Sequence, residues 1–142
     1  FMTNWIVGHT DRFRAAVTQR SISNWTSFYG TTDIGWYFAE DQLATTPWRG
    51  HDEYWARSPL RYAPSIKTPL LIIHSSEDYR CWLDQALQLY TAIKIHGGKA
   101  RLAVFPGENH DLSRKGKPKH RVKRLELILQ WFEEHLKPGD TL

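Results

Sequence analysis

Apolar positions along the chain fall into patterns that mark out a small set of elements. Residues 69–74 (Pro69-Leu70-Leu71-Ile72-Ile73-His74) form a nearly unbroken apolar run, as a strand requires when both faces of a parallel sheet are covered. Residues 84–96 carry a different period. Leu83 just ahead of them, then Ala86, Leu87, Tyr90 and Ile93, repeat every three or four positions, which predicts a helix stopped by Gly97-Gly98. Residues 101–105 read as a further strand. Residues 119–136 read as an amphipathic helix with Val122, Leu125, Ile128, Leu129 and Phe132 on one face, closed by Pro138-Gly139. Toward the start, residues 1–8 are a short apolar segment, helical or the end of something longer. After the turn-like His9-Thr10-Asp11-Arg12, residues 13–18 read as a short buried strand. Between residues 21 and 57 aromatic side chains dominate, from Trp25, Phe28 and Tyr29 to Tyr54 and Trp55. Gly30, Gly35, Pro47 and Gly50 break this stretch into short helices and loops. It reads as core or as the wall of an apolar pocket.

Strand and helix thus alternate, the mark of an α/β fold with a parallel sheet. At 142 residues and 16.6 kDa the chain is one domain or part of one. Seven Trp, six Tyr and six Phe supply enough apolar surface to exclude disorder. No window holds the roughly eighteen consecutive apolar residues of a spanning helix, and the first residues lack the basic and apolar regions of a secretion signal. A single cysteine, Cys81, excludes an intrachain disulfide, and together these features lead us to expect a cytoplasmic protein with no membrane association. The net charge of +4 is concentrated. Seven of the nineteen Lys and Arg lie in residues 113–124, leaving twelve basic against fifteen acidic residues elsewhere. That is a solvated helix face, without the interleaved aromatic side chains of a nucleic-acid platform, so no nucleic-acid partner is expected.

In open α/β sheets, chemistry gathers in loops at the carboxyl ends of the strands. Two such loops are equipped for it: His74-Ser75-Ser76-Glu77-Asp78-Tyr79-Arg80 and Pro106-Gly107-Glu108-Asn109-His110-Asp111. An acid on one and an imidazole on the next suit the orienting acid and the base of a hydrolytic triad. Spacing alone leaves a merely hydrogen-bonded loop histidine equally open. Seven histidines are present, but without HExxH, CxxC or a close ligand triplet, so no metal is expected. No phosphate-binding glycine loop opens a helix, and no cofactor is expected.

Four segments carry a resemblance: FMTNWIVGHTDRFRAAVTQRSISNW, YWARSPLRYAP, TPLLIIHSSEDYRC and FPGENHDLSRKGKPKHRVKRL. Over essentially its whole length the chain resembles the C-terminal part of the prolyl oligopeptidase family of serine peptidases, nearest the acylaminoacyl-peptidase branch. The resemblance implies the C-terminal half of an α/β-hydrolase fold, three parallel strands with flanking helices and the N-terminal half absent. It implies hydrolysis of short peptides without a cofactor. Asp78, two residues ahead of Arg80, takes the place of the triad acid, with Glu77 and Asp111 as local competitors, and His110 that of the base. Arg80 takes the place of a residue facing the substrate backbone; a surface ion pair with Glu77 or Glu108 is its alternative. Ile22, Trp25 and Phe28 match positions that line the primary specificity pocket, or else pack as core. Trp82 stands where relatives commonly carry proline.

The family's nucleophile elbow, G-x-S-x-G-G, is found nowhere between residues 1 and 142, and Ser21 and Ser23 lack the flanking glycines such a turn needs. The resemblance places the elbow just before Phe1. Residues 1–142 are therefore expected to be one catalytic portion, inactive alone, with any activated serine inside it sought first at Ser21, Ser23 and Ser75. Residues 13–18 would form a bare sheet edge, paired in life with the missing half or with a second copy of the chain. Two other readings stand beside this one: an esterase using the same Asp78 and His110, and a noncatalytic remnant serving as an interaction module.

Overall fold

A computed structural model describes residues 1–136; the expected stop at Pro138-Gly139 lies outside them. In chain order the elements are α1 (Met2–Val7), β1 (Ala16–Gln19), α2 (Trp25–Thr31), α3 (Trp36–Leu43), α4 (His51–Arg57), a 3₁₀ segment (Pro59–Ser65), β2 (Leu70–Ser75), α5 (Leu83–Ile95), β3 (Ala100–Phe105), α6 (Leu112–Lys115) and α7 (Pro118–Leu136). The three strands form one parallel sheet in the order β1-β2-β3, with Ala16 opposite Leu70 and Leu70 opposite Ala100. This is the expected α/β arrangement.

β2 is central, and its composition says why. All six of its residues are buried, so only a strand apolar on both sides could occupy the place. On one face Leu70 and Ile72 meet Val7, Ala63 and Ile66, together with Ala86, Leu89 and Ile93 of α5. On the other, Leu71 and Ile73 meet Phe105, Leu112 and Trp131. A third cluster, Trp25, Phe28, Ala39, Tyr54 and Cys81, sits under α2, α3 and α4. At Gly98, where the chain leaves α5 for β3, a Cβ would lie 2.5 Å from Ile93 Cγ2 and 3.2 Å from the Ile66 carbonyl oxygen, so no side chain fits.

Several expectations shift by a few residues. The first strand is Ala16–Gln19, not residues 13–18. Phe13 is 47% exposed, and pairing starts only where the Ala16 amide reaches the Pro69 carbonyl at 2.9 Å. Gly30 lies inside α2, whereas Gly35 and Gly50 cap α3 and α4. On α5, Leu87 is exposed and Leu89 buried. The polar Gln85 fixes that phase, because its side chain accepts the Ser23 and Asn24 amides at 3.0 and 2.9 Å and must face inward. On α7 the buried residue is Trp131, with Leu127, Ile128 and Phe132 packed beside it. Val122, Leu125 and Leu129 are exposed. Glu134 pairs with Arg101 of β3. At about 100° per residue, Leu125 lies half a turn away from Glu134. Leu125, Leu129 and Val122 thus form an exposed apolar strip on the side of α7 turned away from the buried Trp131.

Among the described residues no helix is long and apolar enough to cross a membrane. The basic stretch opens α7, and much of it is engaged: Arg114 with Asp111, Lys123 with Glu126, and Arg124 with Gln19.

Candidate functional site

The parallel register brings the carboxyl ends of all three strands together, and each delivers one side chain to the same place. β2 ends at Ser75, and the turn that follows is closed by the Asp78 amide donating to the Ser75 carbonyl. β3 ends at Phe105, and its loop is stitched to the first by the Glu77 amide, which donates to the Glu108 carbonyl at 2.9 Å, and by the Gly107 amide, which donates to the Ser76 hydroxyl at 2.8 Å.

This stitching sets Asp78 against His110. His110 Nδ1 lies 2.9 Å from Asp78 Oδ2 and 3.0 Å from Oδ1, while Oδ1 also accepts the Arg80 and Cys81 amides at 3.0 and 2.9 Å. Asp78 is 2% exposed. A carboxylate acting only as acceptor requires the hydrogen on Nδ1 of the imidazole, which leaves Nε2 with a free lone pair. His110 lines an open cleft of about 380 Å³ with Asp33, Tyr79, Arg80, Asn109 and Arg114. Of the two competing carboxylates, Glu77 is exposed, and Asp111 is engaged by Arg114 and by Arg20.

Behind Asp78 lies a second imidazole. His74 is buried, with Nε2 2.6 Å from the Cys81 carbonyl and 3.7 Å from Asp78 Oδ2. Burial holds its pKa below the ordinary value, so it is neutral and donates Nε2–H to Cys81. The Cys81 thiol is pushed up to about 12 by burial and by the nearby Asp78 charge, which removes it as a nucleophile.

Arg80 pairs with neither Glu77 nor Glu108. Its Nε and Nη2 donate to the two carboxylate oxygens of Asp33 at 2.5 and 3.4 Å, and the Asp33 amide donates to the Tyr79 carbonyl at 2.8 Å. Trp25 and Phe28 are buried in the third cluster, with Ile22 packed against it. None of the three lines the cleft that holds His110. Trp82 has φ −56°, within the range a proline ring imposes, so the loop follows the path a proline would give it. The Ser21 and Ser23 hydroxyls are spent on the Ile22 and Gln85 carbonyls at 3.2 and 2.5 Å, and Ser75 is buried at the end of β2.

The sequence offers Glu108 only as a surface partner for Arg80, and Arg20 in no role. Glu108 is buried and accepts from the Lys117 amide at 3.1 Å and from His120 Nδ1 at 2.5 Å. Burial would raise its pKa, but these two hydrogen bonds together with the charges of His120 and Lys117 hold the carboxyl below its ordinary value. Arg20, one residue past β1, donates from Nη1 to the His110 carbonyl at 3.0 Å and lies 3.8 Å from Asp111 Oδ1. Among the described residues no three His, Cys, Asp or Glu side chains converge as metal ligands would.

The profile of the prolyl oligopeptidase family matches residues 1–139. The chain is 53% identical over 136 residues to the uncharacterized peptidase YuxL of Bacillus subtilis, covering 96% of this chain and 21% of that protein. It is 31% identical over 140 residues to dipeptidyl-peptidase 5 of Schizosaccharomyces pombe, covering 96% of this chain and 20% of that one. The acylaminoacyl peptidase of Pyrococcus horikoshii superposes on the whole chain with a TM-score of 0.93 and 39% identity, over 23% of its own length. The chain thus spans about a fifth of the length of the curated relatives it matches.

Proposed function

The chain belongs to the prolyl oligopeptidase family, and from that membership we propose that it supplies the acid and the base, Asp78 and His110, of a serine peptidase centre whose serine lies outside residues 1–142. The observation that carries this reading is the buried Asp78 carboxylate receiving His110 Nδ1–H at 2.9 Å, with the imidazole at a cleft.

In the proposed reaction the serine hydroxyl attacks the scissile carbonyl while His110 Nε2 takes its proton. The tetrahedral intermediate then collapses, and the same proton passes from Nε2 to the leaving amine. Water repeats the cycle on the acyl-enzyme, with His110 again as base. Asp78 is not protonated; it keeps the imidazole in the Nδ1–H tautomer and stabilises the imidazolium. Oxyanion donors, like the serine, come from outside these residues. The substrate class is short peptides, from which acylated or unmodified N-terminal residues are released. We place the protein in the cytoplasm, a setting consistent with its one cysteine being buried and unpaired. β1 takes as its partner further polypeptide of the same catalytic domain or, when that is lacking, a second copy of the chain.

The test is a graft. Residues 1–142 replace the matching segment of the Bacillus relative, and the chimera is assayed with a fluorophosphonate probe and with acylated and free dipeptide substrates. The grafted protein should label and turn over peptide, and His110→Ala should abolish both, whereas the 142-residue chain alone should take no label. A folded chimera whose labelling is indifferent to His110 would overturn the assignment, and so would a stoichiometric adduct on the isolated chain. Ester turnover far above peptide turnover would move the protein to the esterases.

A further inference from the structure

We infer that Arg20 is a positioning residue for His110, holding the backbone of the base in the place from which its imidazole meets Asp78. The inference rests on the reading of His110 as the base.

Asp78 fixes the ring of His110 at one nitrogen, and that contact leaves the peptide carrying the ring to be held by other means. Arg20 Nη1 donates to the carbonyl of His110 itself, 3.0 Å away across 90 residues of sequence. The same guanidinium lies 3.8 Å from Asp111 Oδ1, and Asp111 is tied in turn to Arg114 of α6. Loop and helix are thereby tethered to the end of β1. The three strand ends contribute one group each: Arg20 beyond β1, Asp78 beyond β2 and His110 beyond β3.

The backbone of Arg20 supports this reading independently. Its φ is +44°, in the left-handed region that residues with a Cβ seldom occupy. Glycine or asparagine would make the same turn with less strain, yet an arginine stands there. The conformation is held because the Arg20 amide donates to the Ile73 carbonyl at 3.1 Å, carrying the ladder one residue past β1. The chain then turns, and the side chain crosses the end of β2 to reach the third loop. A strained backbone whose side chain reaches the base's own carbonyl fits a requirement of the site better than one of the turn.

The experiment follows the Nδ1 proton of His110 by NMR in the 142-residue chain. An imidazole N–H bound to a buried carboxylate is strongly deshielded and exchanges slowly with water, and its loss in His110→Ala assigns it. Two variants remove the guanidinium. Arg20→Gly also relieves the positive φ, so its thermal midpoint should hold or rise, whereas Arg20→Met keeps the aliphatic stem. In both, exchange of the His110 proton should accelerate by about tenfold or more, the loss expected for one charge-assisted hydrogen bond. A purely structural role would leave that rate unchanged wherever the midpoint is unchanged. Exchange as slow as in the unaltered chain, in either folded variant, overturns the role of Arg20 and leaves the Asp78–His110 pair standing. Absence of the proton from the unaltered chain would remove the pair and the role of Arg20 together.

Discussion

Asp78 Oδ2 lies 2.9 Å from His110 Nδ1 and 3.7 Å from His74 Nε2, so one buried carboxylate stands between two imidazoles. Their duties differ because their surroundings do. The His110 side chain is 28% exposed, at the mouth of a cleft. His74 is sealed under the loop and gives its hydrogen to the Cys81 carbonyl, which braces the same turn whose amides grip Asp78.

The neutral state of His74 makes stability depend on pH. Its folded pKa is depressed by burial below the ordinary 6.5. As pH falls below 6.5 the unfolded chain therefore takes up a proton that the folded chain refuses. This contribution to stability is complete above 6.5 and shrinks toward acid until the folded pKa is reached. Urea midpoints measured across that range should fall toward acid, and His74→Gln, which can still donate to Cys81, should flatten the fall. Equal slopes for both proteins would show that His74 titrates alike folded and unfolded.

Asp78→Asn should be costly twice over. The amide oxygen can keep the Arg80 and Cys81 amides that Oδ1 now accepts, but the NH2 then stands where Oδ2 receives His110 Nδ1–H, donor against donor. A buried polar group mispaired in this way costs about 1–3 kcal/mol, readable in the denaturant midpoint. In the grafted peptidase the wrong imidazole tautomer should lower turnover by about 10⁴-fold. A variant retaining wild-type turnover would remove Asp78 from the mechanism.

Phe28 and Trp25 pack against Tyr54 and Ala39, with Phe28 only 1% exposed. Truncating a side chain so enclosed opens a cavity, and Phe28→Ala should cost about 3–5 kcal/mol. Ile22→Ala, at the margin of the cluster, should cost less. Thermal unfolding of the two variants separates core packing from a pocket wall: a small loss for Phe28→Ala, with altered substrate preference in the graft, would support the pocket reading.

The exposed apolar strip of α7 and the outer edge of β1 should each favour association. Leu129 is 60% exposed and Leu125 57%, and among the described residues β1 pairs on one side only, leaving an outer edge that can take a further strand. In sedimentation at rising concentration the unaltered chain should self-associate. The double change Leu125→Lys, Leu129→Lys should weaken that association while shifting stability by no more than about 0.5 kcal/mol. A chain that stays monomeric at high concentration would count against this surface.

The parts of this molecule legible in its sequence are those dictated by local composition. The run from Leu70 to Ile73 could only be a doubly covered strand, and the α/β alternation followed from it. The meeting of Asp78 with His110 was suggested by the resemblance, since spacing alone did not separate them from ordinary loop residues. Where the reading slipped, long-range contacts decided. Gln85 turned α5 by making bonds with Ser23 and Asn24, about which a hydrophobic period carries no information. On α7, apolar residues spread over so wide an arc that no pattern shows which part meets the sheet; Trp131 does, and Val122 does not. Arg20 was invisible because arginine is not a turn former, and its positive φ is sustained by a strand that lies far off in sequence.

Cys81 gives the loop of Asp78 a gauge of its own. Its amide holds Asp78 and its carbonyl holds His74, while its thiol, the only one in the chain, is buried and protonated with a pKa pushed to about 12. A reagent in solvent can reach that sulfur only when the same turn comes apart. The rate at which native protein is alkylated therefore counts the openings of the segment on which the orientation of His110 depends, with no substrate, partner or nucleophile present.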